Sequence, residues 1–205
     1  MQAELGLARS ADAPLFALVS RFTHQKGLDL VLEALPLVLD SGAQVAVLGT
    51  GDPGLESVLV AAARARPDRV AVRIGYDEGL AHRLIAGSDA VLLPSRFEPC
   101  GLTQLYGLRY GALPVVRRTG GLADTVVDAG EDTAPADAGT GFCFDATSGA
   151  ALAATIQRAV RCYRQPERWR SLMRRAMAED FSWHEAARRT LSLYEEVYGT
   201  AIVSD

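Results

Sequence analysis

From Pro14 onward, short apolar runs alternate with stretches of helical periodicity, and few folds accept that order. Runs at 14–19, 44–48, 70–74, 90–93, 113–116 and 141–144 have the length and composition of buried strands. Segments 28–39, 55–65, 78–86 and 104–110 lie between them and read as helices. In the first, apolar residues fall at 28, 31, 32, 35 and 39, a helical spacing. Three more helices, 150–163, 167–179 and 183–198, close the chain. Such alternation implies a parallel sheet of about six strands with right-handed crossovers. The 205 residues, 49% hydrophobic, suit a single domain over 1–205 with one core. Pro36 falls inside the first helix and is expected to kink or shorten it. Residues 1–13 read as a loose lead-in. Residues 133–141, rich in Ala, Gly and Asp, read as a mobile surface loop.

In a parallel sheet the loops leaving the strand carboxyl ends gather along one edge, where ligands bind. Here those loops are 20–27, 49–54, 75–77, 94–103 and 117–122, and all are polar or glycine-rich, although ordinary connections have that composition too. The richest is Pro94-Ser95-Arg96-Phe97-Glu98-Pro99-Cys100-Gly101-Leu102-Thr103. Pro99 biases Glu98 toward an extended backbone and so sets the direction of its carboxylate. Gly101, Leu102 and Thr103 then open a helix, whose free N–H groups form an anion site, and Gly111 closes that helix at C′. A carboxylate beside a phosphate cradle calls for a two-part ligand, with a phosphate at the helix end and sugar hydroxyls at Glu98. Arg21 and Lys26 stand just before another helix, where the macrodipole disfavours cations unless an anion joins them. Gly49-Thr50-Gly51-Asp52 fits a close ligand approach and a plain tight turn equally well. Thr119-Gly120-Gly121-Leu122 offers further backbone amides after the fifth strand.

Composition removes several classes. A net charge of −4, with no basic patch or aromatic ladder, argues against a nucleic-acid binder. Cys100, Cys143 and Cys162 are an odd set without CxxC spacing, which fits free thiols in a reducing, cytoplasmic setting. No apolar run reaches the ~18 residues of a membrane span. The three histidines and three cysteines form no metal pattern, so no metal is expected. Cys100 has no base at a recognisable spacing and reads as a packing thiol near the pocket. No G-x-G-x-x-G opens the first helix, which argues against a dinucleotide-binding domain.

The run from Arg96 through Glu98-Pro99-Cys100-Gly101-Leu102-Thr103-Gln104-Leu105-Tyr106-Gly107-Leu108 resembles the donor-site signature of bacterial glycogen synthases and plant starch synthases. These are retaining glucosyltransferases with two Rossmann-like domains, the GT-B architecture. The resemblance implies a Rossmann-like domain that binds ADP-glucose and, in the whole enzyme, passes glucose to the end of an α-1,4-glucan. Arg21 and Lys26 would hold the diphosphate and Glu98 a glucose hydroxyl. Tyr76 would lie beside the adenine, though a rim-packing tyrosine fits as well. Arg96, Cys100, Gly101, Leu102, Thr103 and Tyr106 of the signature, with Gly51, Thr119 and Gly120, would complete the donor site. Many GT-B enzymes carry Glu-x7-Glu, but here the second position is Tyr106, as in the glycogen synthase branch. The resemblance runs from Ser20 to about Tyr198 and covers only the family's second domain. The chain alone is therefore expected to bind ADP weakly and to transfer no glucose, with its N-terminal partner domain and the glucan site lying elsewhere. A GT-B transferase with another nucleotide sugar, or a non-catalytic nucleotide-binding domain, are the competing readings.

Overall fold

The computed structural model describes residues 1–131 and 139–199, so the expected loop at 133–141 lies mostly outside the described residues. Six parallel strands form the sheet: β1 (Leu15–Val19), β2 (Gln44–Gly49), β3 (Val70–Ile74), β4 (Ala90–Leu93), β5 (Leu113–Arg117) and β6 (Phe142–Phe144). Their order is β3-β2-β1-β4-β5-β6. The order reverses between β1 and β4, which pair through Phe16 with Ala90 and Ala17 with Val91. That switch point opens a crevice at the carboxyl ends of these two strands.

Side chains alternate across β1. Phe16 and Leu18 enter a core with Leu28, Val31 and Ala34 of α2 (Leu28–Asp40) and Leu152 and Ile156 of α7 (Gly149–Tyr163). Leu15 and Ala17 enter the opposite core with Leu84 and Ile85 of α4 (Glu78–Ala86). Both sheet faces are thus covered, which explains the unbroken apolar character of the strands. Each fully buried Leu or Phe contributes about 1.5–3 kcal/mol. Trp169, on α8 (Pro166–Ala178), stacks on Phe142 with 6.1 Å between ring centroids, so it belongs to the core as its setting on an amphipathic helix suggests, but Trp183, which the same reasoning would place in the core, is 90% exposed.

Three further expectations need correction. The lead-in is not loose: α1 (Gln2–Leu5) folds there, Leu5 and Leu7 are buried, and Gln2 donates to Gln44 Oε1 at 2.9 Å. Two leucines are too few to show a period. Pro36 does not shorten α2, which runs on to Asp40. Pro36 is exposed, so water can satisfy the carbonyl left without its donor. Residues 117–122 are not all loop, because α6 (Gly120–Thr125) begins inside them. The other helices, α3 (Pro53–Ala65), α5 (Thr103–Tyr110) and α9 (Trp183–Tyr198), lie within two residues of their predicted bounds. Asp52 caps α3 through its side chain and Pro53 takes the first turn, which moves that start forward. Gly111 closes α5 in the left-handed region at φ 77°, as read.

Candidate functional site

Two loops meet at the switch point, 20–27 after β1 and 94–102 after β4. Gly27 lets them touch. Its φ is 69°, and a Cβ there would strike the Pro94 carbonyl oxygen. Ahead of it His24–Lys26 form one turn of 3-10 helix, a tightening that the sequence did not signal. The Lys26 ammonium donates to Glu98 Oε2 at 2.5 Å, and the Ser95 hydroxyl donates to the same oxygen at 3.1 Å. Among the described residues no protein group bonds the other oxygen, Oε1. The Lys26 and Glu98 side chains are 18% and 10% exposed, so the pair is largely shielded from water.

Beside this pair α5 begins. Leu102 stands in its N-cap position without a side-chain cap, so the amides of the first turn are offered outward. Lys26, Ser95, Glu98, Gly101, Leu102 and Thr103 line one small cavity with Ser20 and the ends of β1 and β4. Its volume, about 60 Å³, suits a single phosphate-sized or hydroxyl-bearing group. Val19 and Ser20 also line a second hollow of about 220 Å³, with Arg21, Thr50, Gly75 and Tyr76 around it. Tyr76 is 86% exposed, so its ring face is available to a flat partner. The two hollows therefore adjoin at Val19 and Ser20. Lys26 retains two ammonium protons for a further acceptor while it holds Glu98.

Of the residues read from the sequence, Arg21, Lys26, Tyr76, Glu98, Gly101, Leu102 and Thr103 come together here. The others line neither hollow. Arg96 forks onto Asp29, Nη1 to Oδ1 at 2.7 Å and Nη2 to Oδ2 at 2.6 Å, and donates from Nη1 to the His24 carbonyl at 2.8 Å. Tyr106 packs edge-on against His82 of α4, 5.1 Å between centroids. The Gly51 amide is taken by Glu56 Oε1 at 2.9 Å, and a Cβ there would strike the Phe22 carbonyl. The hydrogen bond from Gly51, joined by one from Thr50, holds the Glu56 carboxyl below its usual range. Gly120 and Gly121 let α6 pack on the backbone of Glu98 and Cys100, and the Gly121 amide donates to the Glu98 carbonyl at 3.0 Å. Thr119 stands at the N-cap of α6. Cys100 is exposed, with Sγ 3.5 Å from the Gly101 carbonyl oxygen. None of these residues lines the cavity.

Sequence reading missed Ser20 and Ser95 in the cavity wall, and the partners behind it. Arg117 donates from Nε to the Ser95 carbonyl at 2.8 Å and from Nη2 to the Arg96 carbonyl, and so pins the loop after β4. Nothing local marks these contacts, which span about twenty residues or more. One compositional signal was available. The chain has twenty arginines and a single lysine, Lys26. Among the described residues no group of three or more His, Cys, Asp or Glu side chains is placed to hold a metal ion. No helix among them is long and apolar enough to cross a membrane.

The chain matches the model of the glycosyl transferases group 1 over residues 6–175. It is 52% identical over 197 residues to a glycogen synthase of Serratia proteamaculans, covering 96% of this chain and 41% of that protein. It is 54% identical over 197 residues to one of Leptothrix cholodnii, with 96% and 40% covered. Among solved structures it is similar to the catalytic domain of starch synthase IV from Arabidopsis thaliana bound to ADP and acarbose. The TM-score there is 0.84 at 33% identity, over 97% of this chain and 41% of that one. The chain thus spans about two-fifths of the length of these relatives.

Proposed function

The chain belongs to the glycosyl transferases group 1, and from that membership and its cleft we propose that it is the ADP-glucose-binding part of a glucan synthase. The observation that carries this reading is the meeting of Lys26, Glu98 and the α5 amides in one cavity, joined to the Tyr76 hollow. Adenine lies in the larger hollow against Tyr76. The diphosphate runs past Ser20 and Arg21 toward Lys26 and the amides of Leu102 and Thr103. Glucose sits at Glu98, whose free Oε1 accepts a hydroxyl hydrogen bond. The ion pair with Lys26 keeps that carboxylate from repelling the adjacent phosphate, which resolves the conflict of signs between the two subsites.

The chemistry follows from where charge develops. The bond from glucose C1 to the phosphate oxygen breaks, and a bond to the acceptor hydroxyl oxygen forms on the same face. The hydroxyl proton passes to the departing phosphate oxygen. Negative charge grows on the diphosphate, and Arg21, Lys26 and the fixed amides stabilise it there. The α-1,4-glucan acceptor and a second domain that closes over the site complete the enzyme, exclude water and protect the reacting carbon. We assign no metal to this step, because the cationic side chains and amides supply the electrostatics.

Titration calorimetry of this chain with ADP and with UDP tests the reading. ADP is expected to bind, and about tenfold or more tightly than UDP, while ADP-glucose with a maltooligosaccharide gives no elongation. Equal or tighter UDP binding would move the chain to another donor class. Glucan elongation by the chain alone would overturn the division of the site between two domains.

A further inference from the structure

The arginine of the donor-site signature does not reach the cavity, and its contacts show what it does instead. Arg96 forks onto Asp29 with 2.7 and 2.6 Å hydrogen bonds and also holds the His24 carbonyl at 2.8 Å. Its backbone amide donates to the Gln25 carbonyl at 2.8 Å, and the Gln25 side chain returns to the Phe97 carbonyl at 3.0 Å. Asp29 lies three residues after Lys26, and Arg96 lies two before Glu98. We infer that Arg96 is a positioning residue: clamped by Asp29, it ties the loop carrying Lys26 to the loop carrying Glu98 and fixes the gap that a phosphate must enter.

Physical chemistry favours the clamp over a ligand contact. A guanidinium matches a carboxylate in two-point geometry, and that match is among the strongest side-chain pairings. Asp29 sits in the first turn of α2, where the helix dipole favours a carboxylate. The Arg96 hydrogen bond holds the Asp29 carboxyl below its usual range, and Asp29 raises the guanidinium in return. A ligand phosphate would have to break this pair to reach Arg96. The ligand's identity rests on the nucleotide-sugar reading above, but the clamp itself does not.

Because Lys26 is the sole lysine, protein labelled with [15N]lysine gives one side-chain ammonium signal. Arg96→Ala and Asp29→Ala are each expected to move that signal to the position of a free lysine. Each is also expected to weaken ADP binding about tenfold, and the double variant no further, since coupled residues are non-additive. Arg96→Gln keeps a polar side chain and loses the fork without adding a second lysine, so it should behave like Arg96→Ala. It and Asp29→Asn carry the test if an alanine variant does not fold. The clamp is overturned if Arg96→Ala weakens ADP binding with the lysine signal unmoved and Asp29→Ala does neither. Arg96 would then touch the phosphate directly. An additive loss of about a hundredfold in the double variant overturns it too. If the unaltered chain binds no ADP, the functional reading fails, and the lysine signal alone decides the clamp.

Discussion

Lys26 works where an arginine would not. Its ammonium reaches Glu98 Oε2 at 2.5 Å inside a cavity of about 60 Å³ shared with the α5 amides. A point charge with three donors can serve a carboxylate and a phosphate at once, whereas a planar guanidinium needs room for its fork. Every other basic residue of the chain that carries a fixed positive charge is arginine, so the one exception coincides with a small, largely shielded cavity. Lys26→Arg should therefore weaken ADP binding about tenfold, within about threefold of Lys26→Ala, as charge-assisted hydrogen bonds of this kind are worth about 1.5–3 kcal/mol. Calorimetry of both variants checks it, and an arginine that restores binding would show that charge alone matters. Lys26, Glu98 and Gly101 to Thr103 were legible because each is odd for its local setting: cations at a helix start, a carboxylate fixed by a following proline, an uncapped first turn. Arg96 was not, because the carboxylate that claims it lies 67 residues away. A sequence tells that a guanidinium needs a partner, but not whether the partner is ligand or protein.

The last strand, β6, has only three residues and hangs on the edge of the sheet beside β5. A largely buried ion pair holds it in place. Asp128 takes two hydrogen bonds from Arg158 of α7, at 2.6 and 2.7 Å, one from the Cys143 amide at 2.5 Å and one from the Gly130 amide at 2.7 Å. Arg158 also lies over the Phe142 ring, 5.5 Å from its centroid. Burial pushes the Asp128 carboxyl up, but the hydrogen bonds from Arg158 and the two amides outweigh it and hold the group below its ordinary 3.8. The sign follows: the contribution is complete above the ordinary carboxylate range and is lost as pH falls through the lowered folded value. Asp128→Asn should cost about 2–3 kcal/mol at pH 7, and the difference from the unaltered chain should shrink below about pH 4. Thermal melts of both proteins across that range check it; a gap that is constant with pH would mean the carboxylate is not charged in the fold. The strands and long helices were readable because their periods are local. Helix α6 was not, because its Gly-Gly start has no helical propensity and is fixed by packing on the Glu98–Cys100 backbone.

At the scale of the whole molecule, α9 stands apart from the sheet. Its residues Ala187, Leu191, Tyr194 and Tyr198 follow a helical stripe, yet it buries none of its residues. Leu191, Tyr194 and Tyr198 are 40%, 48% and 72% exposed. What holds the helix is local: Ser182 accepts from the Glu185 amide, and Glu185 pairs with Arg188 and Arg189, which draw its carboxyl down to about 2. Contacts of this kind say nothing of what the helix packs on. A helix of about sixteen residues without tertiary support is marginal in water. In this chain alone, amides of 183–198 should exchange with solvent within seconds to minutes, while those of β1 and β4, under both cores, should open only with the whole domain. Deleting 182–205 should then shift the melting temperature by less than about 3 °C, since less than about 1 kcal/mol of packing is lost. Hydrogen exchange read by mass spectrometry checks the first and a thermal melt the second. Strong protection across α9, or a large fall in melting temperature on deletion, would mean that its apolar stripe closes onto the fold in solution.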